Sequence, residues 1–436
     1  MARLTRRTSQ RTLGANTDLW SARGIRTGFR ANICMPPVIS PIPTYERFGG
    51  THPETAALAN VLAAMGVKAP HNGRPYSEAM IVGLGGLGAG YILWEFARHQ
   101  SRTLVLAFQA TWQYPERYFE ALCSRLAVSA TFHTSGSAKA AAQNLRKLVA
   151  SNIPVLSWTS GSGLPQWLDP SGDTGAWTHV VGIAGLSDDA VLMDDISQVP
   201  VEVPFQAFQS SWSRIGSYKH RMLEVVPSGS PDLPDSITSA IRATVEHLEA
   251  KSDSFALPTF HKWARLLTDT KNAKAWPKVF GDGRGLFGVL RDVYAGIRGL
   301  EGSGGDLRGL YADFLAEAAE LVVHPAIAEA AVRYRTLHGK WLAVAEAALP
   351  VSNPEFQKFR ETLHERHAQF VGSGIRHRDK LESLTNEIES KSSAWDANFP
   401  LPSGQVSELF AELSTKIEAA YEGEIEALEV LRRISL

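Results

Sequence analysis

The run Pro227-Ser228-Gly229-Ser230-Pro231 divides the chain into two kinds of sequence. Prolines, serines and a glycine packed this closely continue neither a helix nor a strand, so the run reads as a linker. Upstream of it, short β-branched runs alternate with amphipathic stretches. Downstream, residues 235–250, 258–268, 286–300, 307–323, 325–349, 354–389 and 403–434 each carry an apolar stripe at helical spacing, separated by Pro or Gly. The expected fold class is α+β, with a sheet-bearing domain over 41–228 followed by an all-helical domain over 229–436. A chain of 436 residues suits two cores better than one.

In the upstream half, Pro36-Pro37 and Pro41-Ile42-Pro43 suppress helix before the motif Phe48-Gly49-Gly50-Thr51-His52-Pro53-Glu54. Ala57, Leu58, Val61, Leu62 and Met65 then recur at helical spacing up to Gly66, predicting a buried helix over 51–66. Ser77 is a candidate N-cap for a short helix or strand reaching Val82. Strands are expected over 103–108, 153–158 and 218–226, and amphipathic helices over 115–126 and 138–150. The most informative spacing is a hairpin: 178–185, a turn at Ser187-Asp188-Asp189, and 190–195. It brings His179 and Asp195 to the same end, within reach of a hydrogen bond. Two readings stand for the pair: a base with its orienting carboxylate, or a strand-end histidine bonded for structure.

Charge and composition exclude several classes. Lys and Arg number 44 against 45 Asp and Glu, a formal charge of −1, so no electrostatic footprint for nucleic acid exists. No apolar run is long enough to span a bilayer, and a membrane partner is not expected. Two cysteines, Cys34 and Cys123, offer no framework or metal spacing, which suits a reducing, cytoplasmic compartment; no metal or cofactor is expected. Cys123 reads as a small buried apolar residue, and Cys34 falls in a basic leader over 1–40. That leader holds Arg-rich, acid-poor sequence fitting a disordered tail or a transit segment.

Other motifs carry less. Gly83-Leu84-Gly85-Gly86-Leu87-Gly88 satisfies the dinucleotide-binding spacing, yet the next β-rich run ends in Gln109 where a ribose-binding acid is needed. A tight loop lining a cleft is the reading adopted. His364 and His367 lack the zinc-protease spacing and read as a solvated helix face. Trp167, Trp177, Trp212, Trp263 and Trp341 read as core or cleft-wall residues.

Gly50-Thr51-His52-Pro53-Glu54-Thr55-Ala56-Ala57-Leu58, Ser77-Glu78-Ala79-Met80 leading into the glycine run, and the His179–Asp195 hairpin together resemble the N-terminal domain of the butirosin biosynthesis protein H family. The helical half, notably Gly304-Gly305-Asp306-Leu307-Arg308-Gly309-Leu310-Tyr311, resembles the domain of unknown function that follows it. The resemblance implies a papain-like fold and specialised-metabolite chemistry: transfer of an acyl group from an acyl carrier protein to a small-molecule amine. It implies a cysteine after the histidine of the opening motif, with His179 and Asp195 as its partners. Here Pro53 stands in that place. Proline is comfortable in a first helical turn, so the helix start is kept while the thiol is lost. The candidate catalytic residues are therefore His179, Asp195, Thr51 and Thr55. The candidate substrate-binding residues are His52, Glu54, Gly85, Gly86 and Gly88. A catalytically inactive relative that binds a carrier or metabolite is the alternative.

Overall fold

The computed structural model describes residues 39–96, 101–110, 115–167 and 177–435. Residue Cys34 and most of the expected leader lie outside them; Ser40–Pro41 forms a short strand, β1. The first half continues as α1 (Pro53–Ala64), α2 (Glu78–Gly85), β2 (Leu87–Phe96), β3 (Ser101–Gln109), α3 (Pro115–Arg125), β4 (Val128–His133), α4 (Ala138–Ala150), β5 (Val155–Ser160), β6 (Thr178–Leu186), β7 (Ala190–Asp194), β8 (Val201–Pro204), α5 (Phe205–Arg214) and β9 (Met222–Pro227). The second half is helical: α6 (Leu233–Leu248), α7 (Pro258–Thr268), α8 (Trp276–Val279), α9 (Leu286–Arg298), α10 (Arg308–Ala319), α11 (Pro325–Ala348), α12 (Pro354–Ser373), α13 (Arg378–Ala397) and α14 (Ser403–Ser435). The chain is α+β, a sheet-containing region followed by a mostly helical one.

The main sheet runs β4-β9-β5-β6-β7-β8, with β1 added to β6, and the described pairings are antiparallel. Helix α1 packs against β6 and β5. Its apolar side chains are spread around the whole helix, as enclosure requires, and the buried polar residues Thr55 and Asn60 are hydrogen-bonded. Leu58, Val61 and Leu62 are each at most 1% exposed, and burial of side chains this size stabilises by roughly 1.5–3 kcal/mol each. Proline at its first position fixes the entry, and Gly66 at φ +74° leads the chain away.

The glycine run differs from its expected form. It is not one loop: Gly83 and Gly85 belong to α2, Gly86 turns the chain at φ +89°, and Gly88 and Gly90 belong to β2. Helix leads into strand here, the reverse of the strand-to-helix order that places a dinucleotide phosphate at a helix N-terminus. A β-carbon at Gly83 would sit within 1.9–2.2 Å of the Phe314 ring of α10. Gly83 and Gly86 therefore allow close packing between the two halves, while Gly85 and Gly88 allow it within the first, against Tyr118 and the Gln109 backbone. The stretch over 354–389 is likewise two helices, because Gly374 takes φ +56° at the end of α12.

Candidate functional site

His179 lies on β6 and Asp195 follows the last residue of β7. Gly182 pairs with Asp194 in the antiparallel register, so Asp195 is a diagonal neighbour of His179. The imidazole Nε2 stands 2.9 Å from Asp195 Oδ1, and both side chains are buried. The Asp195 carboxylate also accepts from Gln166 Nε2 at 3.0 Å, Trp167 Nε1 at 3.1 Å and the Ile196 N–H at 2.7 Å. Burial alone would raise this carboxyl; the His179 imidazole, Gln166 and Ile196 outweigh it and hold the group below the usual aspartate value. Asp195 thus remains an anion facing Nε2 of its histidine, where the Trp167 indole N–H also lies, 3.2 Å away. Nδ1 makes no hydrogen bond among the described residues and is the nitrogen left for proton exchange. Trp167 and Trp177 wall the imidazole edge-on, each with its centroid 5.2 Å away. Trp212, Trp263 and Trp341 are core residues.

The neighbouring Asp194 does different work. Its carboxylate accepts from Tyr45 Oη at 2.8 Å, the Gly49 N–H at 2.8 Å and Asn60 Nδ2 at 2.9 Å. It ties the loop before α1 to the sheet and so sets where that helix begins.

At that beginning the chain arranges a second polar group. The Glu78 carboxylate accepts from the Thr51 N–H at 2.9 Å and the His52 N–H at 2.7 Å, with the Thr55 hydroxyl 3.3 Å away. Burial raises the Glu78 carboxyl above its ordinary value, against the pull of these donors. Pro53 supplies no N–H, and Glu78 occupies the two that precede it. The positive end of α1 is therefore partly filled by the protein's own carboxylate. Thr55 is fully buried, its oxygen shared among Glu78, the His52 carbonyl and His52 Nδ1 at 3.3 Å. In this arrangement it is a bridge between Glu78 and His52. Thr51 is exposed, and its backbone rather than its hydroxyl makes the recorded contact. Burial, followed by the nearby His179, lowers the His52 imidazole to about 4, so it is neutral at neutral pH.

The helical half closes over these groups. The segment after α9 takes positive φ at Gly302, Gly304 and Gly305. A β-carbon at Gly302 would lie 3.2 Å from His179 Cε1, and one at Gly304 would lie 2.1 Å from His52 Cδ2. One glycine strap thus touches both histidines, where any side chain would collide. Beside it, His52 and Glu54 line a cavity of about 160 Å³ with Phe108, Gln109, Ser303 and Gly305. Of the expected binding residues, His52 and Glu54 reach this cavity. Gly85, Gly86 and Gly88 do not line it: β-carbons there would meet Tyr118, Thr244 and the Gln109 backbone. A wider hollow of about 580 Å³, bordered by Arg47, Arg74, Tyr76 and Glu317, includes neither His179 nor Asp195.

Among the described residues thiol chemistry finds no substitute near the site. Cys123 is 1% exposed and burial pushes its thiol up to about 12, leaving it protonated. His364 is not on a solvated face as expected; it is partly buried, with Nε2 2.8 Å from Tyr294 Oη. Among the described residues no cluster of three or more His, Cys, Asp or Glu could hold a metal, and no helix is long and apolar enough to cross a membrane.

Residues 52–195 match the family model described as butirosin biosynthesis protein H, N-terminal, and residues 209–369 match a domain of unknown function, DUF4872. The chain has the architecture of the butirosin biosynthesis protein H family. No curated protein matches it in sequence. The N-terminal match begins at His52 and ends at Asp195, so it is bounded by the two polar centres of the site. Sequence reading missed Glu78 as a partner of the helix start, Gln166 as a donor to Asp195, and the strap at 302–305. Glu78 was readable only as a first-turn acid. The strap and Gln166 carry no local signal, since their roles depend on residues more than a hundred positions away or on an irregular turn.

Proposed function

We propose that this protein is an acyl-transfer protein of specialised-metabolite biosynthesis, forming an amide between a carrier-bound acyl group and a small-molecule amine without a thiol intermediate. The observation that carries the reading is the buried His179–Asp195 pair at 2.9 Å, set beside a helix start where proline stands in the family's cysteine position. An antiparallel sheet with a buried helix packed on it supports a papain-like ancestry for this half. In the reaction, the amine nitrogen attacks the thioester carbonyl while His179 Nδ1 takes its proton. The C–S bond then breaks, and the imidazolium returns that proton to the departing thiolate. Asp195 keeps the imidazole in the Nε2–H tautomer and stabilises its charged form. His52, neutral and touching the same strap, borders the space for the reacting groups.

The test is to incubate the protein with acylated carrier and amine candidates and follow amide formation by mass spectrometry. General-base loss by His179→Ala is expected to cost about 10²–10⁴-fold in rate. An unchanged rate would sink the base assignment. A second reading, a binding protein that has lost catalysis, is favoured by Pro53 and by the 2% exposure of His179 under Gly302. It predicts carrier binding with no turnover in the wild type.

A further inference from the structure

The helical half does more than roof the site. We propose that Arg366 and Phe370 of α12 are positioning residues for the His179–Asp195 pair, so that the domain of unknown function is a working part of the site. Asp195 Oδ2 depends on two donors, Gln166 Nε2 and Trp167 Nε1, from an irregular turn just after β5. That turn has no ladder to hold it. What grips it is α12: Arg366 Nη2 donates to the Gln166 carbonyl at 3.1 Å, its guanidinium lies over the Trp167 ring at 5.6 Å, and Phe370 meets that ring edge-on at 4.8 Å. Arg366 is itself fixed by a 2.8 Å bond from Nε to Thr385 Oγ1 of α13.

The same helix reaches the other side of the aspartate. The Gln198 N–H donates to the Val371 carbonyl at 2.8 Å, and a β-carbon at Gly374 would lie 3.2 Å from Ser197 Oγ. The turn that supplies two donors to Asp195 and the residues Ser197 and Gln198 that follow it are thus both held by α12 and the Gly374 that caps it. A guanidinium only 3% exposed is costly to bury, and an apolar side chain would fill its volume at less cost. Its planar fork can hold a carbonyl, a hydroxyl and a ring face together, which a lysine cannot.

The proposal rests on reading His179–Asp195 as the base pair, but its test reads no reaction, so the two can fail separately. In full-length ¹⁵N-labelled protein, the low-field His179 Nε2–H resonance is assigned by its loss in His179→Gln, and the Trp167 indole N–H by its loss in Trp167→Phe. Arg366→Met, Arg366→Lys and Phe370→Leu are then compared with wild type. Each is expected to move the indole resonance upfield and to speed water exchange of the His179 proton by about tenfold or more. Both signals unchanged in folded variants would overturn the proposal. So would wild-type signals in Arg366→Lys beside altered ones in Arg366→Met, because that pattern means charge acting through space rather than positioning. If Arg366→Met fails to fold, Phe370→Leu, which removes no charge, decides alone.

Discussion

Two buried charged pairs join parts of this molecule, and they are built on opposite logic. Arg308 of α10 and Glu424 of α14 meet at 2.9 Å with both side chains fully buried. The remaining guanidinium donors go to the carbonyls of Phe108, Asp306 and Gly88, while Trp341 Nε1 donates to the same glutamate oxygen. Arg308 is spent on structure: it staples the β2–β3 ribbon to the helices. The His179–Asp195 pair is equally buried, yet its donors gather on the acid and, through Trp167 Nε1 at 3.2 Å, at His179 Nε2, while Nδ1 of the histidine has no partner among the described residues. The staple saturates the guanidinium while Glu424 Oε2 has no hydrogen-bond partner; the site pair saturates the carboxylate and leaves His179 Nδ1 without one among the described residues.

The comparison breaks most visibly at the staple. Arg308→Leu should destabilise by about 3–5 kcal/mol, because it strands Glu424 as a buried anion; a urea unfolding midpoint within error of wild type would show that the pair is dispensable. Next, Glu78→Ala should cost about 1–3 kcal/mol, since the Thr51 and His52 N–H groups lose their acceptor, and chemical denaturation measures it. His179→Gln should cost only about 1 kcal/mol in the same assay, because a glutamine N–H can still serve Asp195 and three other donors remain. A loss as large as that of Arg308→Leu would make the site pair a staple after all.

The smallest effect is one of pH. His52 is held near 4, below its ordinary 6.5, so its contribution to stability is complete above about pH 6.5 and is lost as pH falls through about 4. The melting temperature of wild type should therefore drop more than that of His52→Gln between pH 6.5 and 4. Parallel curves for the two proteins would place His52 in a solvated setting.

Local pattern was legible wherever the local period decided the structure. Residues 138–150 and 258–268 are helices with the predicted bounds, and the 178–195 hairpin pairs as its turn residues implied. Strand β2 was not legible. Its first residues are glycines, which have little strand preference of their own, and its strand character comes from pairing with β3. Strand β4 was missed as well, as a short run whose partner, β9, lies about a hundred residues on. At the site, the hairpin spacing was enough to bring His179 and Asp195 to the same end, although a register shift between Ile183 and Gly185, which no local pattern announces, sets their final offset. It could not assign Thr55, whose hydroxyl looked available beside the helix start and proves to be buried between Glu78 and His52.

By itself, then, the sequence determined the α+β division, the buried helix after Pro53, the absence of a thiol at that position and the histidine–aspartate pair. Each follows from short-range rules: side-chain period, turn chemistry and the missing N–H of proline. The tertiary structure alone decided that a glycine strap from the helical half covers both histidines, that Glu78 fills the helix start, and that α12 holds the donors of Asp195. Those contacts join residues from 26 to more than 200 positions apart. Their geometry exists only once distant elements have packed, and for the strap and α12 only once the two halves have, so no local period can announce it.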